Sequence, residues 1–161
     1  MDTVLSQQNL EDMLDKAVRE VAVQASGVEI FRSNRPLSED ICTVHITFTK
    51  GFRTRLSLCA DTALVARMAR NAFGVEEITP QDLEDFGKEY CNILCGKIAA
   101  FLFRTTQIAA RFSVPSFFHG SFVPEDFRVQ FVLAYSDDQP ESLQLTHYIP
   151  CLRDCTAASA G

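Results

Sequence analysis

Thr79-Pro80-Gln81-Asp82-Leu83-Glu84-Asp85-Phe86-Gly87-Lys88-Glu89-Tyr90-Cys91-Asn92-Ile93-Leu94-Cys95-Gly96 carries the strongest structural signal in the chain. Thr79 can accept backbone N–H bonds as an N-cap, Pro80 suits the first helical position, and Asp82 complements the positive end of the helix. Leu83, Tyr90, Leu94, Ile98 and Phe101 recur at helical spacing, so the helix runs to about Arg104 with an apolar side fastened to a core. At about 100° per residue, Asp85, Glu89 and Asn92 fall within about 60° of one another on the other side, with Gly96, Ala99 and Ala100 below them. Asn92 and Gly96 each cost a helix interior roughly 0.5 to 1 kcal/mol relative to Ala, and an exposed helix has no need of either. A carboxamide offers both a donor and an acceptor, and a Gly-Ala track lets another protein come close. The plainer alternative is a solvated face with an incidental Asn.

Working outward, Leu10, Met13, Leu14, Ala17, Val18 and Val21 form a second helical stripe that stops at Ser26-Gly27. Three extended segments follow, Val28 to Phe31, Cys42 to Phe48 and Arg53 to Leu58, the last two joined as a hairpin through Thr49-Lys50-Gly51. Asp61 is the expected cap of a short helix that carries Leu64, Val65, Met68, Ala69 and Ala72 and ends at Gly74. Beyond the Thr79 helix, strands are expected around Arg111 to Val114, Phe127 to Ala134 and Leu143 to Ile149, with a turn at Ser136 to Pro140. Helices and strands are grouped rather than alternating, which predicts an α+β fold with a mainly antiparallel sheet packed against long helices. A helix followed by three strands occurs twice. Leu10-Glu11-Asp12-Met13 echoes Leu83-Glu84-Asp85-Phe86 at an offset of 73 residues, which suggests pseudo-twofold halves. Residues 1–150 are expected to form one domain and 151–161 a flexible tail.

Composition narrows the function. The chain has 161 residues, 47% hydrophobic, with 13 Phe and no Trp, enough to bury a sizeable core in which phenylalanine does much of the filling. Its net charge of −6, with Lys and Arg scattered singly, leaves no basic stripe for nucleic acid. The sequence has no apolar run long enough for a membrane span and does not open like a signal peptide, so the expected location is the cytoplasm. In that setting six cysteines, two pairs of them spaced CxxxC, read as reduced small hydrophobes rather than a zinc site, and no metal site is expected. His45, His119 and His147 stand alone, and nothing around them favours a Ser/His or Cys/His catalytic set. Asp85-Phe86-Gly87 spells a kinase metal-binding tripeptide, but it sits in a helix, in a chain with no glycine-rich loop and no catalytic His-Arg-Asp.

The string Asp85-x3-Glu89-x2-Asn92-x3-Gly96 resembles the signature helix of the bacterial chemotaxis phosphatases, the CheC, CheX and FliY group. Ile46-Thr47-Phe48-Thr49-Lys50-Gly51, Leu56-Ser57-Leu58, Ala63-Leu64-Val65-Ala66-Arg67-Met68 and Phe73-Gly74 are similar to the hairpin and helix before that signature in CheX proteins. The resemblance covers roughly Val44 to Ala100. It implies hydrolysis of the aspartyl phosphate on a CheY-like response regulator in two-component signalling. Asn92 would position the attacking water and Glu89 would pair with a receiver lysine; Asp85, Lys88 and Gly96 would be partner-binding residues. Mg²⁺ would come from the receiver, and this chain would have no cofactor of its own. One signature rather than two implies the CheX-like branch and a homodimer. At the pseudo-equivalent positions 73 residues earlier stand Lys16 and Arg19, which lack that chemistry. The sequence departs from the family where Lys88 occupies the place before the Glu that members often give to Gly, with Gly87 one earlier. The alternative is a non-catalytic module of the same fold that docks a receiver or a motor-switch-like partner.

Overall fold

β-strand alternation builds the sheet around two long hairpins. In the computed structural model, which describes residues 5–151, the order is α1 (Gln7–Ser26), β1 (Phe31–Arg32), β2 (Ile41–Lys50), β3 (Arg55–Asp61), α2 (Thr62–Phe73), α3 (Pro80–Thr106), β4 (Arg111–Phe112), β5 (Ser116–His119), β6 (Phe127–Ser136) and β7 (Ser142–Pro150). Every strand pairing is antiparallel, and the sheet order is β1-β6-β7-β3-β2-β4, with β5 also on the outer edge of β2. The fold is α+β, as expected. Exchanging β1, β2 and β3 for β4/β5, β6 and β7 turns this order into its own reverse. That is the arrangement a pseudo-twofold repeat requires, with each half lending its short strand to the edge of the other.

Cys42, Val44, Ile46 and Phe48 of β2, Leu56, Leu58 and Ala60 of β3, Leu143 and Leu145 of β7, and Leu133 and Tyr135 of β6 are all buried in one core with the helices. Such a period of two puts one sheet face under α1 and α3. Two buried tyrosines tie the layers together. Tyr90 of α3 donates its hydroxyl to the Val18 carbonyl of α1 at 2.7 Å, and Tyr135 of β6 donates to Asp15 Oδ1 at 2.7 Å. Each replaces solvent bonds that burial removes, so each fixes a helix position as well as filling space.

Three expectations change. Of the segment Val28 to Phe31, only Phe31 enters a strand, and it pairs with β6 rather than its sequence neighbour; Val28 and Ile30 are buried as core plugs instead. Asp61 stands at the N-cap of α2, but its carboxylate accepts from the backbone N–H of Ser38 at 2.7 Å and of Ser142 at 2.8 Å, so it joins two distant loops rather than capping the helix. The strand expected at Arg111 to Val114 stops at Phe112, and β5, unforeseen, follows. Among the late phenylalanines, Phe131 is buried while Phe112, Phe117, Phe118, Phe122 and Phe127 are half-buried. Phe118 and Phe122 stack at 4.4 Å, and Phe122 lies against His45 on the sheet face away from the helices. Of the expected tail, 152–161 lie outside the described residues.

Candidate functional site: the outward face of α3

The start of α3 is set by a complete capping box. Thr79 accepts from the Asp82 N–H at 3.1 Å and Asp82 accepts from the Thr79 N–H at 2.9 Å, with Pro80 between them. Burial of Leu83, Phe86, Gly87, Tyr90, Cys91, Leu94, Cys95, Ile98 and Leu102 then fixes the rotation of the helix. Gly87 sits at a close contact: a Cβ there would meet Val44 Cγ2 at 3.0 Å and Phe117 Cδ2 at 3.4 Å, so these side chains would have to give by a few tenths of an ångström, and its absence lets α3 lie close on β2 and β5. The glycine one place from its usual family position therefore serves packing here.

With that rotation fixed, Asp85, Glu89, Asn92 and Gly96 are all exposed on successive turns of one face. Neither the Asn92 carboxamide nor the Glu89 carboxylate has an intramolecular side-chain partner among the described residues; both hydrogen-bonding groups face outward. A Cβ on Gly96 would meet nothing within 4 Å, so no intramolecular contact explains the glycine. Asp85 accepts from Gln81 Nε2 at 2.8 Å. Lys88 sits on the flank and pairs with Glu84 at 3.1 Å. The structure thus puts Glu89, Asn92 and Gly96 together with free functional groups or free space, and Asp85 and Lys88 beside them already engaged. Phe101, expected on the core side, is only partly buried, whereas Leu83, Tyr90, Leu94 and Ile98 are buried as expected.

One residue on this face escaped the sequence reading. Phe103 is 51% exposed, seven residues beyond Gly96 and hence on the same stripe two turns further on. That spacing was visible in the sequence, but a phenylalanine near the end of an apolar helix reads as core.

Elsewhere the potential chemistry is structural. His45 Nδ1 lies 2.8 Å from Ser57 Oγ, but both residues are buried and burial depresses the imidazole pKa to about 4. His147 Nε2 lies 2.7 Å from Thr54 Oγ1, which itself donates to the Tyr148 carbonyl; the hydroxyl must therefore accept from Nε2–H, and burial holds this ring's pKa at about 4 as well. Burial pushes the Cys42 thiol up to about 12 and raises those of Cys91 and Cys95, so these cysteines behave as small apolar residues. Among the described residues no three His, Cys, Asp or Glu side chains gather to hold a metal, and no helix is long and apolar enough to cross a membrane.

The chemotaxis phosphatase CheX family matches residues 42–130 of the chain, which includes the whole outward face of α3. Among solved structures, the chain is similar to the chemotaxis protein CheX of Vibrio vulnificus, with 11% identity, a TM-score of 0.70, and coverage of 91% of this chain and 99% of that one. It is similar to the CheX of the CheX-CheY-BeF3-Mg²⁺ complex from Borrelia burgdorferi, with 12% identity, a TM-score of 0.67 and coverage of 88% and 97%. Thermotoga maritima FliY follows at 16% identity and a TM-score of 0.59, covering 92% of each chain. No curated protein sequence matches the chain.

Proposed function

The chain belongs to the chemotaxis phosphatase CheX family, and from that premise we propose that it hydrolyses the aspartyl phosphate of a CheY-like receiver, using the outward face of α3. The observation that carries this reading is the pair of free groups on adjacent turns, Glu89 and Asn92, above an unfilled Gly96. The complex of a CheX with CheY from Borrelia burgdorferi supports the choice of partner.

The chemistry suits so spare a site. Water attacks phosphorus, the P–O bond to the receiver aspartate breaks, and the aspartate leaves as a carboxylate while inorganic phosphate and a proton are released. A carboxylate with an ordinary pKa of about 3.9 leaves without protonation, so no general acid is needed. The remaining requirement is to hold water in line with phosphorus, and a carboxamide does so by accepting one water hydrogen while its NH₂ donates to a neighbouring oxygen. Glu89 pairs with a receiver lysine and fixes the docked orientation. Mg²⁺ would be held by the receiver and not by this chain, and would supply charge neutralisation there. Gly96 gives the receiver backbone room to approach.

The test is the decay of a phosphorylated CheY-like receiver with and without the protein. Acceleration supports the reading; binding without acceleration would make the chain a docking module instead. On the same likeness we propose a cytoplasmic homodimer, with the open edges at β1 and β5 available for pairing; a monomer mass by light scattering would refute it. We also propose that residues 1–150 form one domain, because β7 of the second half is inserted between β6 and β3 of a continuous sheet. Two separate unfolding transitions would contradict that.

A further inference from the structure

A groove of about 240 Å³ runs between α1 and α3 beside the candidate site. Its apolar floor is Met13, Ala17 and Phe101. Its charged rim is Lys16, Lys97 and Arg104 against the single carboxylate of Glu20, a local balance of 3 − 1 = +2 in a chain of net charge −6. Glu20 is shared between Lys16 at 3.9 Å and Lys97 at 3.6 Å, while Arg104 has no ion-pair partner among the described residues. Ala100 belongs both to this groove and to the exposed track below Asn92, so the two surfaces are continuous.

We propose that this groove is the second half of the receiver-docking surface, taking a receiver segment that presents a carboxylate beside an apolar side chain. The inference rests on the proposed function. Distance permits it: Ala100 is eight residues and Arg104 twelve residues beyond Asn92, or about 12 and 18 Å along the helix. A typical interface of about 800 Å² per partner has a radius near 16 Å, so one receiver centred on Asn92 covers Ala100 and stops about 2 Å short of the Arg104 backbone, a gap that the length of an arginine side chain bridges. Charge sets the direction. Glu89 attracts a cation at one end and the groove an anion at the other, so the two charges together favour one docked orientation over its reverse. In an acidic chain the groove also offsets repulsion of an acidic partner during encounter. Lys16 occupies the position pseudo-equivalent to Glu89; the half without site chemistry thus supplies binding charge.

The experiment measures equilibrium binding of the receiver and the steady-state decay of its phosphorylated form, for the intact protein and two variants. Arg104→Glu should raise Kd and KM about tenfold with kcat at saturating receiver unchanged, and should flatten their dependence on salt. Glu20→Gln should lower both severalfold. Unchanged Kd in Arg104→Glu, or a loss confined to kcat, overturns the groove assignment while leaving the phosphatase intact. If the intact protein binds but accelerates nothing, the phosphatase reading falls, and the groove stands or falls on the same two Kd values. No binding by the intact protein sinks both.

Discussion

α1 and α3 are the same helix built twice, up to the point where they face outward. Ser6 and Thr79, 73 residues apart, both cap with their side-chain oxygens. Gln8 donates to Asp12 at 2.9 Å and Gln81 to Asp85 at 2.8 Å, again 73 apart. Leu10, Met13, Leu14, Ala17, Val18, Val21 and Ala22 are buried, and so is each residue 73 further on, Leu83, Phe86, Gly87, Tyr90, Cys91, Leu94 and Cys95. The exposed stripes then part company: Asp12, Lys16, Arg19 and Val23 on α1 against Asp85, Glu89, Asn92 and Gly96 on α3. Packing accounts for what the helices share. It gives no reason for Asn92, whose carboxamide has no intramolecular side-chain partner among the described residues, or for Gly96, where a Cβ would meet nothing within 4 Å, and the proposed function supplies one for each. Asp85, by contrast, repeats on the silent helix with its hydrogen bond intact, which makes it the weakest of the candidate site residues.

Substitutions can break or sharpen this contrast. The largest effect belongs to Asn92→Ala, expected to lower kcat by at least about a hundredfold while receiver affinity changes little, because water positioning is felt mainly in the transition state. Equal losses in Kd and kcat would remove the assigned role. Next is Glu89→Ala, which should weaken receiver binding by about ten- to thirtyfold, since the receiver's lysine is left desolvated and unpaired; unchanged affinity by titration calorimetry would contradict the pairing. Gly96→Ala should raise KM severalfold and yet stabilise the fold by about 0.5 to 1 kcal/mol in denaturant titration, as the new Cβ fills open space. Val23→Ala at the matching place on α1, where the side chain is 47% exposed, should leave KM unchanged. The smallest effect is Asp85→Asn, expected within about twofold in both constants.

Legibility in the sequence followed the range of the interactions involved. The caps and apolar stripes of α1 and α3 are local, and their limits at Ser26-Gly27 and Thr79-Pro80 were evident from residue type alone. The exposed triad was legible because a helix fixes its rotation through its own buried residues. Features that depend on distant chain were not legible. Asp61 sits where a cap belongs, but the loops that claim it come from Ser38 and Ser142. β1 is two residues long and is defined by its partner β6, more than 90 residues away. β5 needs the edge of β2 to become a strand at all. The groove needs α1 and α3 side by side, so Lys16, Lys97 and Arg104 gave no signal as scattered charges.

The central claim is that the chemistry resides on the outward face of α3 and not on its counterpart on α1. The most direct test is the first-order decay of a phosphorylated CheY-like receiver at saturating protein, comparing Asn92→Ala with Arg19→Ala, the substitution at the pseudo-equivalent position. The account predicts that Asn92→Ala decays at the receiver's own rate while Arg19→Ala keeps the rate of the intact protein. Full activity in Asn92→Ala, or its loss in Arg19→Ala to the same degree, would contradict it.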